Sequence, residues 1–198
     1  MTCLSSPCRA SPSLTGASPC VHIALTADLN RGSTLLASGR QAEALADMER
    51  AVVGSKGDKL ALLGRGGAYH ALGRWGEAAA DYGAVVKKSP ADVQPFWLRY
   101  ALELYEVGQR QEALGIARRL SAKFDIEPEC TLAVCSLLWR DGADAGREEA
   151  LRRYRLAPLT TKQRMAAIDP ASKEWTPTGV IAAREFLSAV GTVSSEPS

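Results

Sequence analysis

The sequence predicts an all-α protein: a solenoid of antiparallel helix pairs that ends in a C-terminal capping helix. Two observations predict this fold. Apolar residues recur at spacings of three and four along most of the chain, which is typical of amphipathic helices. Small residues also recur at one long period. A repeat of this kind is a supersecondary unit that cannot bury its own apolar face, so neighbouring copies are expected to stack.

The period is defined by small residues in the first half of the chain. Three pairs are each separated by 34 residues: Gly32 and Gly66, Gly39 and Gly73, and Ala44 and Ala78. A third copy follows with Gly108 and Ala113 displaced by 35 residues, and a fourth, looser copy contains Glu149, Ala150 and Tyr154. We therefore predict repeats at 28–58, 59–92, 93–126 and 128–158.

Each copy is predicted to be two helices, because apolar periodicity lies on both sides of a glycine. Gly39, Gly73 and Gly108 are expected to end the first helix with positive φ, so that the second helix folds back. In the fourth copy the stretch from Asp141 to Gly146 predicts a longer turn than in the others.

These residues resemble the tetratricopeptide repeat (TPR) family, which carries small, aromatic and proline residues at the same places. The matching residues are Gly32, Gly66, Ala44, Ala78, Tyr69, Tyr82 and Pro90. The resemblance covers about Asp28 to Pro158, with Ala101 and Cys135 in place of the helix glycine in the last two copies. It implies a right-handed superhelix whose inner face, built from the first helix of each pair, holds a ligand.

On that inner face, the resemblance predicts a partner-binding groove of two rows. The leucine row is Leu29, Leu63, Leu98 and Leu132, and the second row is Leu36, His70, Tyr105 and Trp139. An open apolar groove of this kind suits an amphipathic helix or an extended peptide of another protein. The alternative is that the cap helix or neighbouring helices bury these residues as ordinary core.

Two further surfaces concern charge. Family members that bind heat-shock chaperone tails hold a carboxylate with Lys, Asn and Arg, whereas the matching places here include Leu29, Ser33 and Leu60, with Arg99 as the single base. We therefore expect no carboxylate-clamp binding. A basic rim is predicted on the second helix of the fourth copy, with intrahelical ion pairs on a solvated face as the alternative. Its residues are Arg147, Arg152, Arg153 and Arg155.

The sequence offers no catalytic, cofactor or metal site. Its two histidines are His22 and His70, and neither has an evident acidic partner in sequence. Phosphate-loop, nucleophile-elbow and zinc motifs do not occur. Cys130 and Cys135 are five residues apart in an apolar stretch, which predicts core thiols rather than a disulfide or zinc ligands.

The bulk charge also restricts the class of partner. A formal net charge of +2 is too small to predict binding to nucleic acid or a membrane surface. We expect a non-catalytic scaffold or adaptor that binds another protein or peptide, and that aids assembly of an organellar complex. An accessory subunit of an enzyme complex and an RNA-binding helical repeat are the alternatives.

The two ends of the chain differ from the repeats. Residues 1–27 are rich in Ser, Pro, Thr, Ala and Cys and contain no Asp or Glu, which predicts a transit peptide or a disordered leader. Residues 159–190 are predicted as the C-terminal cap, with Thr176 as N-cap and Pro177 as first helical residue, and 191–198 as a disordered tail. This ending is similar to that of plastid and cyanobacterial TPR proteins, so we expect a plastid location, with the cytoplasm as alternative.

Overall fold

The computed structural model describes residues 19–124 and 127–193, and within these ranges it contains ten α-helices and no strand. The prediction of an all-α protein is therefore confirmed. In chain order the helices are α1 (Pro19–Ala37), α2 (Gln41–Gly54), α3 (Lys59–Ala71), α4 (Trp75–Lys88), α5 (Trp97–Glu106), α6 (Arg110–Lys123), α7 (Pro128–Asp141), α8 (Asp144–Leu156), α9 (Leu159–Ala166) and α10 (Pro177–Val193).

The glycines predicted to end the first helix of each pair have the expected backbone. Gly39, Gly73 and Gly108 have φ of +75°, +70° and +83°. This left-handed conformation costs glycine little because it has no Cβ. It reverses the chain within the short connections after α1 and α5.

In the fourth copy the predicted long turn is wrong. Gly142, with φ of +82°, makes the reversal, and α8 already begins at Asp144. Gly146 is a helical residue rather than a turn residue. A Cβ at this position would lie 3.0 Å from the carbonyl oxygen of Leu138, so glycine is needed for the close approach of α8 to α7.

The described helices fall into two compact units, divided between Leu72 and Gly73. In the first unit, α2 packs against both α1 and α3. Met48 of α2 is almost completely buried. It fills the space left by two glycines, because a Cβ at Gly32 or Gly64 would lie 2.8 or 2.6 Å from its side chain.

The second unit contains α4 to α10. Its successive helices α4 to α8 pack against one another, and α5 also contacts α7. Trp97, Leu102, Leu120 and Leu137 are among the large side chains that are almost completely removed from solvent. Ala113, the small residue of the third repeat copy, is fully buried on α6.

The C-terminal helix begins as predicted. Thr176 is the N-cap, since its hydroxyl accepts a hydrogen bond from the backbone N–H of Gly179 at 3.3 Å, and Pro177 is the first helical residue. The helix continues to Val193, three residues beyond the predicted end. It packs against α7 and α5, which are the first helices of the third and fourth repeats.

The predicted end segments lie mostly outside the described residues. Residues 1–18 of the leader and 194–198 of the tail are in this category. The remainder of the predicted leader, from Pro19, belongs to α1. Among the described helices, none combines the length and the apolar character that a bilayer span requires.

Candidate partner-binding groove

The predicted groove residues of the second unit lie on α5 and α7, and α10 rests against these two helices. Tyr105 is 4% exposed and Leu132 is completely buried, so neither lines an open groove. Leu98 and Trp139 are half-buried. For Tyr105 and Leu132, the alternative of burial as core therefore describes this structure better than an open groove does.

The contact of α10 with this surface is close because its inward residues are small. Ala182 and Ala183 are fully buried. A Cβ added at Gly179 would lie 2.9 Å from Leu102 Cδ2. Such residues let the backbone of one helix approach another, which increases the apolar contact area per residue.

Phe186 is the aromatic anchor of α10. Its side chain is fully buried. Its ring meets those of Trp139 and Tyr154 edge-on, with centroid distances of 6.0 and 5.7 Å. Edge-on aromatic pairs add roughly 0.5–1.5 kcal/mol each beyond the burial of their area. Phe186 therefore helps to hold α10 in place.

Polar contacts hold the edges of this segment. Glu106 of α5 accepts a hydrogen bond from the backbone N–H of Thr178 at 2.9 Å, and Arg140 of α7 pairs with Glu185 at 2.5 Å. The indole N–H of Trp175, just before the helix, donates to Glu129 at 3.0 Å. Because exposed ion pairs contribute about 0–1 kcal/mol, apolar burial rather than charge holds α10 in place.

Two residues at this surface are informative about binding. Arg99 is the single base at the chaperone-clamp positions, and its guanidinium pairs with Glu174 at 2.6 Å. Tyr105 has a buried hydroxyl that finds no hydrogen-bond partner among the described residues. An unsatisfied buried hydroxyl costs about 1–3 kcal/mol, so α10 does not complement this surface fully.

In the first unit the equivalent leucines retain part of their exposure. Leu29, Leu36 and Leu63, on α1 and α3, are half-buried. His70, predicted in the same groove, is only 6% exposed and so does not line an open surface. Of the four predicted groove residues in this unit, the three leucines are therefore accessible and the histidine is not.

The four arginines of the predicted basic rim have different surroundings. Arg153 pairs with Glu149 at 2.9 Å, and Arg118 of α6 pairs with the same carboxylate at 2.8 Å. The hydrogen bond from Arg118, and to a lesser extent that from Arg153, lowers the pKa of Glu149. Arg147 lies over the ring of Trp139, 5.5 Å from its centroid. These contacts match the alternative of a structural, paired face.

Of the other two rim arginines, Arg155 lines a groove that the sequence analysis missed, and Arg152 lies one helical turn before it on α8. Arg152 and Arg155 are exposed, and within the described part of the chain no carboxylate lies within ion-pair distance of either. The groove lies between α8 and α9 and has a volume of about 440 Å³. Its walls include Leu151, Tyr154, Arg155, Leu159, Lys162 and Ala166. The sequence feature that indicates this groove is a basic segment without acidic residues, since residues 150–168 contain five Arg or Lys and no Asp or Glu.

The cysteines are placed as predicted. Cys130 and Cys135 are buried and unbridged. Burial raises the pKa of each thiol to about 12. A thiol with this pKa stays protonated at neutral pH, and the thiolate is the form that attacks substrates or binds metals. In the described ranges, no three His, Cys, Asp or Glu side chains group as metal ligands would.

Comparison with known proteins gives a fold assignment. No model of a protein family matches this sequence, and no curated protein matches it. The solved structures that are similar include residues 41 to the end of MamA from Desulfovibrio magneticus RS-1, YrrB, described as a TPR protein with an unusual peptide-binding site, and MamA MSR-1 C2.

The similarity to these structures extends over most of each chain. In the order given, TM-scores are 0.61, 0.60 and 0.58, and sequence identities are 18%, 16% and 14%. The matches cover 88%, 84% and 85% of this chain and 98%, 90% and 99% of the other chains. At these sequence identities the similarity supports an assignment of the fold alone. The fold is that of an all-α, TPR-like helical-repeat protein.

Proposed function

We propose that this protein is a non-catalytic scaffold that binds another protein by seating a helix of that partner against the first helices of its repeats. The observation that carries the proposal is the position of α10. This amphipathic helix lies on α5 and α7, with its small residues and Phe186 turned inward. The surface is thus shaped to accept a helix, which is one of the recurring modes of peptide recognition.

Two routes are open to a partner helix. In the second unit it replaces α10 and gains a hydrogen bond if it carries an acceptor opposite the Tyr105 hydroxyl. In the first unit it binds the half-buried leucines Leu29, Leu36 and Leu63. The similarity to YrrB, whose structure is described as containing a peptide-binding site, supports the same class of function.

The partner classes that we do not propose follow from the same residues. The ion pair of Arg99 with Glu174 leaves the inner surface without a free base at the clamp position, so we propose no binding of chaperone tails. Leucines rather than arginines occupy the inner row, so we propose no nucleic acid partner. The protonated, buried thiols support a role without catalysis.

The experiment tests whether the surface binds a helix in trans. Ala183→Glu places a charge on the fully buried face of α10 and should release this helix, because a charge must stay solvated. A labelled peptide of residues 177–193 should then bind the variant and not the unaltered protein. Ile181→Glu is the matched control, because Ile181 is 47% exposed, and this variant should not allow binding.

The binding experiment has one control in the peptide and one in the protein. A peptide with Phe186→Ala should lose binding, because it lacks the aromatic anchor. If Ala183→Glu loses its helical circular dichroism, a protease site at exposed Ser172 replaces it, and the cut protein is mixed with labelled peptide. Absence of binding or exchange in a protein that retains its helices would contradict the proposal.

We further propose that the partner belongs to a plastid complex. The support is the composition of residues 1–27, which lack acids and are rich in Ser, Pro and Ala. Because α1 begins at Pro19, we expect processing before that residue rather than inside the helix. N-terminal sequencing of the endogenous protein tests this, and an intact Met1 in a cytosolic fraction would contradict it.

A further inference from the structure

The groove between α8 and α9, which Val190 of α10 also lines, is a second surface besides the one on α5 and α7. Leu151 and Tyr154 of α8 form one wall, and Leu159 and Ala166 of α9 form the other. Its volume of about 440 Å³ lies within the range of roughly 300–1,000 Å³ that is usual for ligand pockets. Leu159 is 70% exposed at its edge. An apolar concavity that is open to solvent is typical of a binding site.

The edge of this groove is positively charged. The ammonium of Lys162 donates a hydrogen bond to the carbonyl oxygen of Arg155 at 2.9 Å and lies 5.4 Å from the centre of the Tyr154 ring. It is therefore held over the groove. Arg155 is exposed on the opposite wall, and Arg152 is one helical turn before it.

The charge at this edge is not balanced within the described residues. On α8, Arg153 is neutralised by Glu149, whereas Arg152, Arg155 and Lys162 have no carboxylate within ion-pair distance in the described ranges. The whole chain has a formal net charge of only +2. The excess at this groove is thus a local feature rather than a consequence of a basic protein.

We propose that this groove docks a segment of a partner protein in which a bulky apolar side chain is flanked by Asp or Glu. The apolar side chain enters between Leu159 and Tyr154, and the carboxylates lie opposite Arg155 and Lys162. This assignment follows from charge complementarity together with the apolar walls. The proposal concerns the protein with α10 in place, because Val190 of that helix also lines the groove.

The shape of the site favours a peptide over a membrane surface. Leu151 and Tyr154 are half-buried in the concavity, below the exposed Leu159 and Arg155. A single side chain of a peptide can reach them. A bilayer would contact only the protruding residues and would leave the walls of the groove unused.

The test uses fluorescence anisotropy with two labelled peptides. One carries a central leucine flanked by glutamates, and its twin has lysine in place of each glutamate. The acidic peptide should bind the full chain, more tightly at low salt because the edge charges are exposed, and the lysine twin should not bind. Arg155→Glu should weaken binding by about tenfold, and Leu159→Asn by about fivefold.

Matched controls distinguish specific binding in this groove from non-specific electrostatic or hydrophobic binding. Lys87→Glu reverses another exposed cation, and Leu60→Asn alters another exposed leucine, 65% accessible; each should change binding by less than about twofold. Failure of the acidic peptide to bind, or equal losses for Arg155→Glu and Lys87→Glu, would overturn the proposal. It would also be overturned if Arg155 and Leu159 mattered only for binding to vesicles of phosphatidylcholine and phosphatidylglycerol.

Discussion

Leu63 in the first unit and Leu132 in the second occupy equivalent repeat positions but differ in exposure. Leu63 is half-buried, whereas Leu132 is completely buried. The second unit differs in having α10 packed on its first helices. This difference indicates that the position in the repeat determines only which face of its helix a side chain lies on. Segments outside the repeat, here α10, then cover part of that face, although Leu98 in the second unit stays half-buried.

The two units also share a feature, a carboxylate held between two arginines. In the first unit, Asp47 of α2 pairs with Arg31 of α1 and with Arg50 of its own helix. In the second, Glu149 of α8 is held in the same way by Arg118 of α6 and Arg153. The difference is in exposure, because the side chain of Asp47 is 1% exposed and that of Glu149 is 20% exposed.

The largest effect on stability is expected when one of the two equivalent leucines is replaced by a charged residue. Leu132→Glu should lower the free energy of unfolding by about 3–5 kcal/mol, because an unpaired carboxylate would be buried. Leu63→Glu should lower it by only about 1 kcal/mol, since a half-buried side chain can turn its charge to water. Urea unfolding is followed by circular dichroism and by tryptophan fluorescence.

The fluorescence signal assigns the effect to a unit. All four tryptophans, at positions 75, 97, 139 and 175, belong to the second unit. Leu132→Glu should therefore shift the fluorescence transition strongly. Equal shifts for the two variants would mean that the leucines of the first unit are as deeply buried as those of the second.

A smaller effect, the same in both units, is expected where paired helices touch. Ala44 and Ala113 are both fully buried. Replacing either with Phe should cost about 1–3 kcal/mol, because a ring cannot be accommodated without displacing the neighbouring helix. Urea midpoints from circular dichroism measure both, with exposed Ala46→Phe as control. If one variant is as stable as the unaltered protein, the repeats are not equivalent at this position.

The helix boundaries could be predicted because they depend on local chemistry. Gly39, Gly73 and Gly108 have the positive φ expected from their places in the repeat. Thr176 and Pro177 begin α10 as their side chains predict. In each case one residue and its immediate neighbours determine the backbone, so a single sequence carries the information.

The covering of the groove could not be predicted, because it depends on distant contacts. The Thr176 hydroxyl donates to the carbonyl oxygen of Leu102, 74 positions away in sequence. An amphipathic helix such as α10 fits many apolar surfaces, and its pattern does not say which one. Gly146 was misinterpreted for a related reason, since a glycine in a polar stretch fits both a turn and a close helix contact.

The α8–α9 groove depends on two stripes that become one site only in the fold. Leu151, Tyr154 and Arg155 form a helical stripe, as do Leu159, Lys162 and Ala166. Each stripe is visible in the sequence. That they face each other follows from the reversal at Pro158, whose geometry the sequence does not give.

The smallest effect is expected in the pH dependence of stability, which distinguishes the carboxylates of Asp47 and Glu149. Arginine hydrogen bonds lower the pKa of both Asp47 and Glu149 below their ordinary values of 3.8 and 4.5. A carboxyl whose pKa is lower in the folded state stabilises the fold at pH values above its unfolded-state pKa. This contribution is lost as the pH falls through the folded-state pKa. Both units should therefore lose stability below about pH 4.5, and neither carboxyl should contribute a slope at neutral pH.

Substitution separates the two contributions. Glu149→Gln should reduce the acid-induced loss of stability by less than about 1 kcal/mol, because the Glu149 side chain is 20% exposed and the pair is screened by solvent. Asp47→Asn should reduce it more, since Asp47 is almost completely buried. Urea midpoints measured by circular dichroism between neutral and acidic pH provide the test, with exposed Glu148→Gln as the control for Glu149. A larger effect for Glu149→Gln than for Asp47→Asn would show that burial does not set the strength of these paired carboxylates.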